Sequence, residues 1–452
     1  MNAENKKIVI IGAGFSGLAA GKELLRNAQE DFIILEARDR IGGRVKPGML
    51  GPLSIDLGGM WLGPTQTRLK ELAAHYQVAT YPTPLAGKSI FSVNGKMHLG
   101  EREEIDGLFN ILEGVDYLNS RKKIDKMLSG IDCSQPWNHP EAKALDAVTV
   151  EYWLQKSVKS KRIRTLYRLL CFSLFCAESD QISMLFFLHY IKSGDGLDVM
   201  ISADAGGGQN FLFHGGVHQV ADQMGHDLAG KIRLNSAVTK ISWTDSGAQV
   251  DTIDGSYAAS QVIIALPPTI IPKIQFQPTL PRKKNALHKR LVMGSAIKFW
   301  VLYETPFWRD QGYSGSILID DMPCTPIYDV SPTGQDLGVM AGFFDGDHAL
   351  QFSGESSDSR KRVVTETIAK FYGPQALEPV DYVDNDWTTE EWSEGCYGAF
   401  AGPGVYHRYG EWLKKSFGPF HWAGTETSPV WTGYIEGAIR SGESAAKAAL
   451  AS

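Results

Sequence analysis

Lys6-Lys7-Ile8-Val9-Ile10-Ile11 runs straight into Gly12-Ala13-Gly14-Phe15-Ser16-Gly17, and this junction decides the fold. The first six residues form a β-branched run, the pattern of a strand buried on both faces. A GxGxxG turn follows. Periodicity predicts a helix over Leu18–Ala28, and Phe32–Leu35 reads as a second apolar strand. Glu36 closes that strand nineteen residues after Gly17. Strand, turn, helix, strand and acid in this register spell a dinucleotide-binding βαβ unit. Gly12 allows the tight turn, Gly14 lets the backbone approach a pyrophosphate, and Gly17 lets helix and strand pack closely. Phe15 and Ser16 lead into the helix, whose free N–H groups and positive dipole end would face the phosphates. Glu36 would take ribose hydroxyls. A glycine-rich turn without a ligand is the other reading, and the complete fingerprint weighs against it.

Ala37-Arg38-Asp39-Arg40-Ile41-Gly42-Gly43-Arg44 follows at once. A nicotinamide enzyme needs no second glycine pair and arginine here. FAD, which threads deeper, does. Read with Asp56-Leu57-Gly58-Gly59, the stretch resembles the glycine-doublet FAD enzymes of the flavin amine oxidase superfamily. Trp392-Ser393-Glu394-Gly395-Cys396-Tyr397 is sharper still. It resembles the region of monoamine oxidases in which a cysteine sulfur is bonded to the 8α-methyl of FAD. The likeness extends over Met60-Trp61-Leu62-Gly63-Pro64-Thr65-Gln66, Leu185–Leu188, Gly207-Gly208-Gln209, Gly294–Lys298, Pro306-Phe307-Trp308, Gly402-Pro403-Gly404, Gly424-Thr425-Glu426 and Trp431–Ala438. These islands span nearly the whole chain in one order. On them the chain is identified as monoamine-oxidase-like, similar to the soluble bacterial amine oxidases.

The resemblance implies roles for particular residues. Gly12, Gly14, Phe15, Ser16, Gly17, Glu36, Ala37, Arg38, Gly43, Arg44, Gly58, Gly59, Met60 and Trp61 would hold the cofactor. So would Val238 (through adenine), Trp392, Gly424, Thr425, Gly433, Tyr434 and Ile435. Glu426 would bind ribityl or pyrophosphate-side groups. Cys396 would be an 8α-S-cysteinyl link to FAD, although a free cysteine is most often a small buried apolar side chain. Trp392 reads equally well as a core tryptophan. Gly433–Ala438 opens the last helix, whose positive end would face the flavin edge that becomes anionic on reduction.

Lys298 lies in Ala296-Ile297-Lys298-Phe299-Trp300-Val301-Leu302, a strand with two apolar faces. Its ammonium must snorkel to solvent or be desolvated, which lowers its pKa. The resemblance implies a lysine that holds a water against flavin N5. Tyr397 and Tyr434 match the two aromatic residues that flank the amine in the family. Facing rings make a narrow slot, stabilise an electron-poor nitrogen, and aim the substrate Cα–H at the flavin. Trp61, Phe175, Phe343 and Gln209 are the expected substrate contacts, with Phe172–Phe175, Phe186-Phe187 and Phe343-Phe344 as apolar pocket runs. Asp204 reads as a turn residue, and as a cavity residue it would attract a second ammonium.

The bulk properties agree with a catalytic globular protein. At 452 residues, two domains are the default. Apolar residues make up 43% and charged residues 21%, and the net charge is −6 without a basic cluster, so nucleic-acid binding is not supported. The cysteines Cys133, Cys171, Cys176, Cys324 and Cys396 are odd in number and scattered, which argues for a reducing compartment and against a disulfide framework or zinc site. Leu166–Ala177 and Ile182–Ile191 are the most apolar segments, and both are too short for a membrane span. The expectation is a cytoplasmic protein without a signal peptide, with a homodimer left open.

The fold class expected is α/β. A Rossmann-like FAD-binding domain (1–82, 211–288 and 388–452) is interleaved with an α+β substrate domain (83–210 and 289–387). Expected elements are a helix over Val217–Leu228 and a meander of Lys231–Leu234, Val238–Trp243 and Gln249–Ile253. Gln261–Leu266 and Phe420–Gly424 read as buried strands, 291–303 and 378–387 as further strands, 100–200 as mostly helical, and Gly433–Leu450 as the last helix. The function expected is FAD-dependent oxidative deamination of apolar or aromatic monoamines, with molecular oxygen as acceptor. A diamine, polyamine or other secondary amine oxidase or dehydrogenase on the same scaffold is the alternative, and a non-catalytic flavin-binding protein is a further one. A carotenoid-type desaturase would lack the Cys396, Tyr397 and Tyr434 constellation, and an amino-acid oxidase would need an arginine for the substrate carboxylate.

Overall fold

A computed structural model describes residues 3–101 and 104–452. The opening motif folds as its sequence dictates. β1 (Glu4–Ile11) pairs in parallel with β2 (Phe32–Leu35), Ile8 to Ile11 lying opposite Phe32 to Leu35. Between them runs α1 (Phe15–Arg26). It begins earlier than periodicity predicts, because the last residues of the GxGxxG turn themselves form its first turn.

β1 and β2 lie in an eight-stranded sheet that is covered on both faces, which is why neither strand alternates with polar residues. Ile8, Ile10, Phe32 and Ile34 pack under α1 and the last helix, while Val9, Ile11, Ile33 and Leu35 pack on the opposite side. The last helix, Ile435–Leu450, lies so close to α1 that a Cβ at Gly442 would stand 2.0 Å from the Ser16 carbonyl oxygen. That helix starts at Ile435 rather than Gly433, because Gly433 has φ +87° and cannot lie in a right-handed turn.

The expected meander is corrected at its first strand. Ile232–Arg233 follows helix His218–Asp227 and pairs in parallel with β2 at one edge of the sheet. The true meander is Val238–Thr244, Gly247–Thr252 and Ser256–Ile264. Ser256–Ile264 is long enough to serve two neighbours on one edge. Ser256 to Ala259 pair with the meander, and Val262 to Ile264 pair in parallel with Phe420–Trp422. Its other edge pairs with β1 along its length.

A second, seven-stranded sheet orders Asp381–Asp386, Ala296–Tyr303, Gly338–Asp345, Ile327–Asp329, Tyr313–Ile319, Lys88–Val93 and Lys96–Glu101. The expected strand over 291–303 is two strands, Leu291–Met293 and Ala296–Tyr303. They break at Gly294-Ser295, where the backbone turns to bind other segments: Ser295 N–H donates to the Cys176 carbonyl at 2.8 Å. The intervening helices include Ile111–Leu128, Val150–Ser157, Lys161–Phe175 and Met184–Ser193, each opened by an Asn, Thr or Ser whose side chain caps a free N–H. Among the described residues no helix is long and apolar enough to cross a membrane.

Candidate active site

One elongated cavity runs from the GxGxxG turn to the second sheet. At the first end the protein offers mainly backbone. Gly12 has φ +100°, and a Cβ there would stand 2.6 Å from the Ala265 carbonyl oxygen. A Cβ on Gly17 would stand 1.8 Å from the Gly12 carbonyl oxygen, so the turn closes on itself only with glycine. Gly17 therefore lies behind the wall, not on it. At Gly14 the nearest atom to a Cβ is the Gly43 Cα at 3.7 Å, so the protein leaves room that a side chain would take from a ligand. The second glycine turn lies against the first, with Gly42 N–H donating to the Ala13 carbonyl at 2.9 Å. The Glu36 carboxylate is buried and accepts from the N–H of Ala13 at 2.7 Å and of Arg38 at 3.0 Å. Each oxygen keeps lone-pair capacity for a hydroxyl. Arg38 is tied to Glu390 at 2.9 Å and to the Ser393 hydroxyl at 2.8 Å. A bent, glycine-walled slot with an acid at strand end fits an adenine dinucleotide. Ala37, Val238 and Trp392 lie on the same wall.

The other end is built from side chains. Lys298 lies in a strand that is buried at every position. Its Nζ donates to the carbonyls of Asp56 at 2.8 Å and Gly58 at 2.6 Å. It does not snorkel, and burial lowers its pKa to about 7. The Asp56 carboxylate faces away, accepting from Val217 N–H at 2.7 Å and contacting His218 Nδ1 at 2.8 Å. One residue thus seats the lysine with its backbone and starts the His218–Asp227 helix with its side chain.

Cys396, Tyr397 and Tyr434 reach the same cavity from two late segments. The Cys396–Tyr397 peptide bond is cis. Cys396 N–H donates to the Gly294 carbonyl at 2.9 Å, and burial pushes its thiol up to about 12. The Tyr397 carbonyl accepts from Arg44 Nη1 at 2.9 Å, and Arg44 is forked onto Glu426 at 2.6 and 3.2 Å. Glu426 also accepts from Ala399 N–H at 3.2 Å. Its carboxylate therefore anchors Arg44, which is on the wall, whereas Glu426 itself is not. Phe343 meets Tyr397 edge to face at 5.7 Å. Tyr434 precedes the last helix, packs edge-on against Trp431 at 4.7 Å, and gives its carbonyl to Thr425 Oγ1 at 2.8 Å. Its ring lies 6.2 Å from that of Tyr190, centroid to centroid.

Trp61, Gln209 and Phe343 stand on the wall at this end, with Gly43, Gly58, Gly59, Met60, Gly424, Gly433 and Ile435 along its length. Phe175 does not. It packs behind Tyr190 with ring centroids 4.5 Å apart, and Phe172, Phe186, Phe187 and Phe344 are likewise core residues outside the wall. In Gly338–Asp345 only one of the two adjacent phenylalanines can face the cavity, and that is Phe343. Asp204 lies in a local turn, accepting from Ala205 N–H at 2.8 Å. Of the expected Phe172–Phe175 run, Ser173 and Leu174 are on the wall, and the sequence reading missed Tyr190 and Trp387 there. Tyr190 was signalled by Leu185–Leu188, one helical turn earlier on the same helix.

The profile of the family described as flavin containing amine oxidoreductase matches residues 15–450. A Mycobacterium tuberculosis protein named as a flavin-containing monoamine oxidase is 35% identical over 439 residues, which cover 97% of this chain and 95% of that one. The solved structure of a cyclohexylamine oxidase from Brevibacterium oxydans superimposes with a TM-score of 0.92 at 31% identity, covering 98% of both chains. A putrescine oxidase bound to putrescine gives a TM-score of 0.93 at 28% identity, covering 100% of both.

Proposed function

The chain belongs to the flavin-containing amine oxidoreductase family, and on that premise we propose an oxygen-dependent oxidase of monoamines that carry an apolar or aromatic substituent. The observation that carries this reading is convergence. Lys298, Tyr397 and Tyr434 share one cavity with the dinucleotide turn. FAD bound there supplies the redox chemistry, taking a hydride equivalent from the amine α-carbon and passing two electrons to oxygen.

The chain's own residues position and protonate. Tyr397 and Tyr434 flank the neutral amine nitrogen, and their ring faces stabilise it as it becomes electron-poor. Lys298, desolvated and close to neutrality in proton affinity, holds a water and moves a proton at that water. Cys396 Sγ carries the cofactor as a thioether. Residues 1–82, 211–288 and 388–452 serve the cofactor, and 83–210 and 289–387 serve the substrate. The imine product is hydrolysed in water to an aldehyde or ketone plus ammonia or a smaller amine, and oxygen becomes hydrogen peroxide.

The substituent preference rests on charge. Glu36, at the dinucleotide end, is the one acidic side chain on the cavity wall among the described residues. At the tyrosine end Trp61 and Phe343 present carbon. A second ammonium would be desolvated there without a counter-charge, which costs far more than placing a ring there. Anaerobic mixing with a panel of amines, followed by the loss of flavin absorbance, tests the reaction. Values of kcat/KM for benzylamine or phenethylamine against putrescine and spermidine test the preference. A diamine or polyamine that wins by roughly tenfold, about 1.4 kcal/mol of transition-state binding, overturns it.

A further inference from the structure

Residues 388–395 border the cofactor cavity as irregular turns, and Trp392 and Ser393 supply part of its wall. Both ends of this stretch are fixed. Trp387 is buried, and donates its backbone N–H to the Ala296 carbonyl at 3.0 Å and its indole N–H to the Leu57 carbonyl at 2.9 Å. Cys396 N–H donates to the Gly294 carbonyl at 2.9 Å. Between these anchors, Thr388-Thr389-Glu390-Glu391-Trp392-Ser393-Glu394-Gly395 has one large apolar side chain, Trp392, and that is only half-buried.

Charge holds the stretch instead. Glu390 accepts from Arg38 Nη2 at 2.9 Å and Nε at 3.3 Å, and its other oxygen stands 3.8 Å from Arg40 and 3.7 Å from Lys46. Arg38 Nη2 also donates to the Ser393 hydroxyl at 2.8 Å. Further along, Lys273 donates to the Glu391 carbonyl at 2.9 Å and pairs with the Glu394 carboxylate at 2.8 Å. Water reaches these pairs, since the Lys46 side chain is 30% exposed and that of Lys273 40%. Such pairs are individually weak and screened by salt, unlike buried apolar contacts. Arg38 has a second carboxylate, Glu36, at 3.7 Å, so it keeps a partner when Glu390 leaves.

We propose that 388–395 is a charge-latched door for FAD, hinged at Trp387 and Cys396 and held shut by Glu390 on Arg38, Arg40 and Lys46 and by Glu394 on Lys273. The inference rests on FAD filling the cavity. Opening takes Trp392 and Ser393 off the wall. Because Cys396 is a hinge, the door swings without displacing it. A short irregular stretch held by exposed ion pairs is the kind of element that opens locally while the sheet behind it stays folded.

The test uses the Cys396→Ala protein, whose flavin can leave whether or not the wild type carries a thioether. Loading of stripped protein is read from the quenching of FAD fluorescence, and release from its recovery when an excess of a second flavin-binding apoprotein traps the free cofactor. Glu390→Gln and Lys273→Met, each added to Cys396→Ala, should speed both loading and release at least about fivefold. The two substitutions change the net charge in opposite directions, so a changed attraction for the anionic cofactor would move their loading rates oppositely. Loss of a plain contact to FAD would raise release alone. Salt raised from about 0.05 M to about 0.5 M should speed release from the Cys396→Ala protein, and the variant carrying both latch substitutions should lose most of that dependence. Hydrogen exchange of the unloaded protein should show the 388–395 amides opening faster than those of β1, and faster still in Glu390→Gln. Release that rises while loading stays or falls, loading rates that diverge between the two variants, or 388–395 amides as protected as those of β1 would each overturn the door. If Glu390→Gln does not fold, Lys273→Met, at a more exposed pair, and the exchange data decide it. A Cys396→Ala protein that takes up no flavin would instead overturn the reading of the cavity as a cofactor site.

Discussion

The two ends of the cavity are made of different material. At the dinucleotide end, Gly12, Gly14 and Gly43 present backbone, with Gly17 closing the turn behind them, and the shape depends on atoms that are absent. At the tyrosine end, Lys298, Phe343, Tyr397 and Tyr434 present side chains, each in contact with a partner from a distant segment. At Gly12 and Gly17 the first end tolerates no added carbon. The second tolerates changes of atom but not of position. Substitutions should therefore destroy the protein at one end and retune it at the other.

The largest effect is expected at Gly17→Ala, where the new Cβ meets the Gly12 carbonyl oxygen at 1.8 Å. The backbone must move, at a cost of about 4 kcal/mol or more. Denaturant unfolding should show it, and the purified protein should be colourless. A variant that remains yellow with unchanged stability would erase the contrast between the ends. Glu426→Gln comes next. It leaves the Arg44 guanidinium without its counter-charge in a mostly buried place, a loss of about 3 kcal/mol. The same change frees the Tyr397 carbonyl from its anchor, so amine turnover should fall along with stability.

Lys298→Met should retune rather than destroy. Reoxidation by oxygen should slow at least tenfold, about 1.4 kcal/mol of barrier, with a smaller effect on reduction by amine, as stopped-flow half-reactions would record. In the wild type, reoxidation should accelerate as pH falls through a midpoint near 7, where Lys298 gains its proton, and the Met variant should lose that limb. Stability carries the opposite signature. The folded lysine titrates near 7 and the unfolded one near ~10.4, so the unfolded chain holds more protons between those values and wild-type apoprotein grows more stable as pH rises through that window. Methionine should abolish the rise. The smallest effect belongs to Cys396→Ala: acid-precipitated wild type stays yellow, whereas the variant releases FAD and keeps activity within about tenfold. A colourless wild-type precipitate would refute the thioether.

The same contrast explains what could be read before any coordinates. The dinucleotide end was legible because its constraints are local: Gly12, Gly17 and Glu36 lie within one supersecondary unit, and each has one physical reason to be what it is. Phe32–Leu35 came out at its boundaries, and the placement of Ile232–Arg233 did not, since a two-residue strand carries no period. At the tyrosine end motif likeness found Cys396, Tyr397, Tyr434 and Lys298, while residues chosen on aromatic content alone divided. Phe343 reached the wall and Phe175 did not, because which face of an element looks into a cavity depends on packing partners far along the chain. The pairing of Glu426 with Arg44 was not legible for the same reason. The two stand hundreds of residues apart.

The first helix of the chain rests on the last, with Gly442 pressed against Ser16. That contact has a consequence in time. At roughly 5–20 residues per second of synthesis, the GxGxxG turn waits tens of seconds for the segment that brings Tyr434 and the covering helix. β1 waits more than half that time for Ser256–Ile264, its central partner. The nascent chain therefore holds the cofactor turn beside a bare β1 edge until Ser256–Ile264 emerges, and the tyrosine end of the cavity follows only with the last helix. Flavin that arrived before the Tyr434 segment would meet half a cavity.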